Sequence, residues 1–139
     1  LGNGTDLTPD MTPFEAGLAP FVDMEKGNFI GRNALLSKDK RCCLFGLTCA
    51  TETPAGGSLI FDGKTAVGRV TAGVPSPTLG LGIGYVRFNE PGNWVGRSLA
   101  MRLTDSSEHE VEIVQPPFFD PDRKIVRGLD RSIPERPAI

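Results

Sequence analysis

Between Arg41 and Gln115 the chain changes face at nearly every residue. RCCLFGLTCA sets Cys43, Phe45, Leu47 and Cys49 on one phase against Cys42, Leu44, Gly46 and Thr48 on the other, the pattern of a strand with two unequal faces. SLIF, TAVGRVTAG, IGYVRF, SLAMRLT and EVEIVQ repeat it, separated by turn-forming runs such as NEPGN and DSSE. No helical period intervenes, so the strands cannot be joined by parallel crossovers. Six strands in about 75 residues therefore predict a mainly β fold, a small antiparallel six-stranded β-barrel or a closed Greek-key arrangement, because open edges would otherwise be left exposed. The sharpest local signal is Asp62-Gly63, between SLIF and TAVGRVTAG, where tolerance of positive φ at both residues predicts a two-residue hairpin turn.

The segments flanking this region read differently. Residues 1–13 carry Gly, Asn, Asp, Thr and Pro at nearly every position, which is connector composition. A short extended run over Ala16 to Asp23 and a turn around Lys26 to Asn28 follow. FIGRNALLSKDK then predicts a two-turn helix, with Ile30, Ala34 and Leu35 on one face and Asn28 as a possible cap. The expected organisation is a connector from a preceding domain over 1–40, a barrel domain over 41–119 and an extended C-terminal tail over 120–139. With 139 residues the chain suits one domain. It begins at Leu1 in turn-like sequence, and we expect it to be a piece of a longer protein.

Charge and cysteine usage narrow the partners. A net charge of −2, with no long run of one sign, argues against nucleic acid as the main partner. No apolar stretch approaches the roughly 20 residues needed to span a bilayer, and the amino end lacks a signal-peptide core. Cys43 and Cys49 would lie about 20 Å apart along one strand, whereas a disulfide needs Cα atoms within roughly 7 Å. Three reduced thiols acting as small hydrophobes, in an intracellular setting, are the expectation. With the single histidine, His109, they fit no metal-ligand spacing. His109 is expected to be a solvated turn or strand residue.

Two motifs invite a site. TLGLGIGYV places Gly80, Gly82 and Gly84 at every second residue, so an extended conformation gives one bare face, with Leu79, Leu81, Ile83 and Tyr85 on the other. No helix start follows for a phosphate to sit on. Close packing of another backbone or a neighbouring domain accounts for such a face, with a ligand as the alternative. The second motif is TPFEAGL, where Glu15 stands beside Phe14 at the edge of an apolar segment. Nothing resembles a nucleophile elbow, a metal cluster or a nucleotide loop, and no catalytic residue is assigned.

Taken in order, DLTPDMTPFEAGL, NFIGRNALL, DGKTAVGRVTAGVPSPTLGLGIGYV and PPFFDP resemble the C-terminal region of the glycine-cleavage T-protein (aminomethyltransferase) family. That family includes the folate-binding portions of dimethylglycine and sarcosine dehydrogenases, and the FFDPD ending followed by RKIVR is closer to the flavoprotein-fused branch. The resemblance implies a three-domain clover around a central cavity for tetrahydrofolate, with a small β-barrel as the last domain and one wall of the site. It implies one-carbon transfer to folate from an amine-bound donor, assisted by an aspartate in the N-terminal part, so that this chain alone would be inactive. The implied partners are upstream domains of the same protein, folate and an amine or aminomethyl donor. FAD enters only with a fused upstream dehydrogenase domain. The implied compartment is the cytoplasm or, in a eukaryote, the mitochondrial matrix.

The resemblance also supplies candidate site residues. The glutamate of the family's TP-x-EAGL motif contacts the pterin ring, and Glu15 matches it. A pterin presents an exocyclic amino group beside a ring N–H, and a carboxylate can accept two parallel hydrogen bonds from such a pair. The alternative is a carboxylate that caps local backbone after the Thr-Pro turns. A basic residue near the start of the barrel also contacts folate in family members. Arg41 is the nearest match, with Lys40 and Arg32 as competitors and an exposed cation at a helix or strand end as the alternative for each. Two further readings stay open: a structural module that has lost the folate contact, and a relative acting on another methyl donor or in tRNA modification.

Overall fold

The alternation produces six strands. A computed structural model describes Gly2 and residues 4–132, with β1 Leu44–Cys49, β2 Leu59–Asp62, β3 Thr65–Ser76, β4 Leu81–Phe88, β5 Ser98–Arg102 and β6 Glu108–Val114. All pairings are antiparallel, and the order β1-β4-β3-β2-β5-β6 closes through β1 and β6 into a barrel, as expected. One phase of each strand fills the interior: Phe45, Leu47 and Cys49 from β1, Val86 and Phe88 from β4, and Ile60, Val70, Met101 and Ile113 from the others. Each fully buried large apolar side chain contributes about 1.5–3 kcal/mol. Phe88 stacks on Trp94, with ring centroids 4.0 Å apart, and meets Phe45 edge-on at 5.8 Å. The three cysteines are free thiols, and Cys49, 1% exposed, packs in the core as a small hydrophobe.

The glycine-rich end of β4 is filled by backbone. A Cβ on Gly82 would lie 2.3 Å from the Glu52 carbonyl oxygen, and one on Gly73, which faces Gly84, would lie 2.1 Å from that of Pro54. The β1–β2 loop thus folds inward and seats the fully buried Pro54 against Gly73, Gly82 and Gly84. Gly80 does not share that face. It sits before β4 in a turn at φ +67° with nothing around its missing Cβ.

Four local expectations are corrected. Asp62 pairs with Thr65, so the hairpin loop is Gly63-Lys64, and only Gly63 has positive φ (59°), as a turn with Gly first requires. The predicted two-turn helix is a single short element, α1 Arg32–Leu36, whose N-cap is Gly31 at φ 90° rather than Asn28. It buries no side chain, and Ile30 and Leu36 are exposed, because its apolar face meets no partner among the described residues. Ala16 to Asp23 is not extended: Pro20 sets a 3-10 turn at Ala19–Phe21. Residues 120–130 are not extended either, since Asp120 accepts from the amides of Lys124 and Ile125 at 2.7 and 2.9 Å and winds the chain into turns. Residues 133–139 of the expected tail lie outside the described residues. Ahead of the turns, Phe118 covers Gly46 on the outside of β1 and meets Tyr85 at 5.5 Å.

Candidate functional site

The run TPFE builds one turn of helix against the barrel. The Thr12 hydroxyl accepts from the Glu15 amide at 3.2 Å while the Glu15 Oε2 accepts from the Thr12 amide at 2.7 Å. This is a reciprocal capping box, with Pro13 preset for the first helical position. Ala16 and Leu18 amides donate back to Thr12 and Pro13 carbonyls at 3.1 and 2.8 Å, and Gly17 at φ +73° ends the turn. Phe14 and Ala16 are buried beneath it, and the Lys40 ammonium lies 4.3 Å above the Phe14 ring. The Glu15 carbonyl accepts from the Cys43 amide at 2.9 Å. Glu15 is therefore fixed to the barrel through its main chain and to the turn through one carboxylate oxygen. Its Oε1 has no hydrogen bond among the described residues.

Glu15 faces a cleft of about 830 Å³ between the connector and the outer surface of β3 and β4. The barrel wall contributes Arg69, Thr71 and Arg87, with Leu59 as its exposed apolar side chain, while Thr8 closes the connector side. Thr71 reaches the cleft on the outward phase that it shares with Arg69, at the point where the β3–β4 register slips between Val70 and Ala72 and leaves it as the extra residue of a bulge. Its hydroxyl donates to the Asp6 carboxylate, which is 2% exposed and also accepts from the Gly2 amide at 2.5 Å. Arg87 Nη1 donates to the Thr8 hydroxyl at 2.9 Å and Nη2 to Asp10 at 2.8 Å. The Thr8 hydroxyl and then Arg87 hold the exposed Asp10 carboxyl at about 2. Burial, with the Glu15 charge adding to it, pushes the Cys43 thiol up to about 11. Cys43 is a neutral wall group, not a nucleophile.

Of the residues singled out by sequence, Glu15 lines the cleft and the three candidate cations do not. Arg41 is exposed and locked to Asp39, Nη2 to Oδ2 at 2.7 Å and Nε to Oδ1 at 3.1 Å, which lowers the Asp39 carboxyl to about 2. Lys40 donates to the Leu35 carbonyl, and Arg32 Nε donates to that of Met24 at 3.2 Å. The cations on the cleft are Arg69 and Arg87, both on the outward phase of strands already legible in the sequence; the missing information was strand register. His109 lies on β6, with Nδ1 3.0 Å from Thr51 Oγ1 and Nε2 3.1 Å from Ser107 Oγ. Among the described residues no three His, Cys, Asp or Glu side chains gather as a metal site, and no helix is long and apolar enough to cross a membrane.

Comparison with known proteins places this geometry among relatives. Residues 40–120 match the model of the glycine cleavage T-protein C-terminal barrel domain. The chain is 39% identical over 122 residues to an aminomethyltransferase of Thermosynechococcus vestitus, covering 84% of this chain and 32% of the relative. It is 34% identical over 125 residues to an aminomethyltransferase of Streptomyces coelicolor, covering 84% and 33%. The crystal structure of the glycine cleavage system aminomethyltransferase T from Bartonella henselae superposes with a TM-score of 0.72 at 27% identity, over 86% of this chain and 35% of that one. The chain spans about a third of the length of the relatives it matches.

Proposed function

The chain belongs to the glycine cleavage T-protein family, as its C-terminal barrel domain, and on that premise we propose that its connector and barrel form one wall of a tetrahydrofolate site in a longer aminomethyltransferase-like protein. The observation that carries the proposal is Glu15: a carboxylate anchored at one oxygen by the Thr12 amide, with Oε1 left over, on a cleft of about 830 Å³. Small-molecule and cofactor sites have volumes of about 300–1,000 Å³, with mostly apolar walls and a few placed polar groups. The cleft falls within that size range, with Glu15, Thr71 and Arg87 as placed polar groups and Leu59 as an exposed apolar neighbour. A carboxylate has about four lone-pair directions. Glu15 can therefore keep the Thr12 amide and still receive the paired N–H donors of a pterin.

Bound folate supplies a nitrogen that accepts a one-carbon unit from an amine-bound donor. The residues of this chain hold and shield the ring. The thiol of Cys43 is neutral and Arg87 is engaged with Thr8 and Asp10, so both are suited to binding and neither to proton transfer. The acid–base group and the donor site belong, on this reading, to upstream domains. Phe21, Ile30 and Leu36, 84%, 104% and 54% exposed on the connector, support a surface that such domains cover.

The capping box itself favours a second reading, in which Glu15 only shapes the turn and folate contact has been lost. Glu15→Gln in the full-length protein separates the two. Gln can still accept from the Thr12 amide but brings an NH2 against the pterin donors. Since hydrogen bonds to charged groups contribute about 1.5–3 kcal/mol, tetrahydrofolate affinity measured by calorimetry should fall about ten- to a hundredfold, with the unliganded melting temperature nearly unchanged. Unchanged affinity together with a lowered melting temperature would return Glu15 to a structural role.

A further inference from the structure

The pairing of β2, β3, β4 and β1 sets four residues in one row across the outer face of the barrel. Leu59 pairs with Arg69, Arg69 with Arg87, and Arg87 with Leu44. Two arginines thus stand directly opposite each other on neighbouring strands, an arrangement that is unfavourable when both charges are uncompensated. Arg87 is compensated by Asp10 and by the Thr8 hydroxyl. Arg69 is exposed and makes no ion pair or side-chain hydrogen bond among the described residues. The cleft therefore carries an anchored carboxylate, Glu15, on the connector and a free guanidinium, Arg69, on the barrel, with the apolar Leu59 paired beside Arg69.

We infer that Arg69 is the residue by which this cleft selects ligands with a carboxylate tail, in addition to the donor-rich ring read by Glu15. The inference rests on the folate reading given above. A guanidinium accepts a carboxylate through two parallel N–H donors, and a neutral carboxamide of the same shape cannot match that pairing. The neighbouring Arg87 adds attraction for the same anion.

The test compares two ligands of equal size on the full-length protein: tetrahydrofolate, and its diamide, in which both tail carboxylates are carboxamides. Arg69→Gln should weaken tetrahydrofolate about three- to fivefold, the scale of a solvent-exposed ion pair, and leave the diamide unchanged. The difference should shrink as salt is raised towards about 1 M, where the screening length is about 3 Å. The unliganded melting temperature should hold, because Arg69 makes no ion pair or side-chain hydrogen bond among the described residues. Equal losses for both ligands, no loss for tetrahydrofolate, or a clear drop in melting temperature would overturn the role of Arg69. Tetrahydrofolate binding that Glu15→Gln weakens and Arg69→Gln does not would sink this inference while leaving the folate reading standing. No binding of either ligand to the unsubstituted protein would remove both.

Discussion

Thr71→Val tests how much one buried polar contact contributes to holding the connector on the barrel. Thr71 is the extra residue of the β3 bulge, and its hydroxyl donates to Asp6, 2% exposed. Val keeps the β-branched shape and the strand preference, so the substitution exchanges an O–H for a methyl and alters little else. Asp6 then retains the Gly2 amide on Oδ2 and has no donor on Oδ1. A hydrogen bond to a charged group contributes about 1.5–3 kcal/mol, and leaving the buried acceptor unmatched puts the loss in the same range. For a chain of 139 residues, that corresponds to a fall of about 5–10 °C in melting temperature. Urea unfolding followed by the fluorescence of the single tryptophan, Trp94, stacked on Phe88, reads the change at an unaltered m-value. The partner can be checked in a cycle with Asp6→Asn, where contacting residues should couple by more than about 0.5 kcal/mol. A loss under about 0.5 kcal/mol, or simple additivity with Asp6→Asn, would refute the reasoning.

Two further predictions concern the barrel end and the rim of the cleft. Gly82→Ala should destabilise by about 1–3 kcal/mol in the same urea assay, because its Cβ would lie 2.3 Å from the Glu52 carbonyl and 2.7 Å from Pro54 Cδ; a neutral result would mean that the loop does not fill the barrel end. The Asp10 carboxyl should titrate near 2 by NMR rather than at its ordinary 3.8, and Thr8→Val or Arg87→Gln should raise its midpoint. Because the folded value is depressed, its small contribution to stability is present above 3.8 and lost as pH falls towards 2. An unmoved midpoint in both variants would remove Thr8 and Arg87 as the cause.

The barrel was legible because its information is local. Phe45, Leu47 and Cys49 alternate along one strand whatever lies beside it, and period two with short turns admits few architectures. The bare face at Gly82 and Gly84 likewise announced a close approach, though not that Pro54 would make it. Positions set by register were hidden. Arg69 and Arg87 become neighbours only through the β3–β4 pairing, and Thr71 meets Asp6 only once the connector lies across β3. Asp6 and Thr71 are 65 positions apart, and no short motif links them. The helix was overestimated for a related reason: Ile30, Ala34 and Leu35 have the spacing of a buried face, but spacing cannot report whether anything in the chain covers it. Glu15 was found through its motif, and its double commitment, to the Thr12 amide and to the cleft, came only from coordinates.

Ring closure has a consequence for how amide protons leave this molecule. In an open sheet the outermost strand can peel away alone, and its amides exchange early; here every strand is bonded on both sides. The joints are unequal. The β3–β4 ladder runs from Gly68 and Phe88 to Ser76 and Leu81, whereas β2 meets β5 only over Leu59–Phe61 and Ala100–Arg102. Exchange at Val70 and Val86 should therefore report opening of the whole ring, and exchange at Ile60 and Met101 a cheaper parting of that one joint. Such a parting turns the cylinder into a six-stranded sheet with β2 and β5 at its margins, and it leaves the β3–β4 wall beneath the cleft in place.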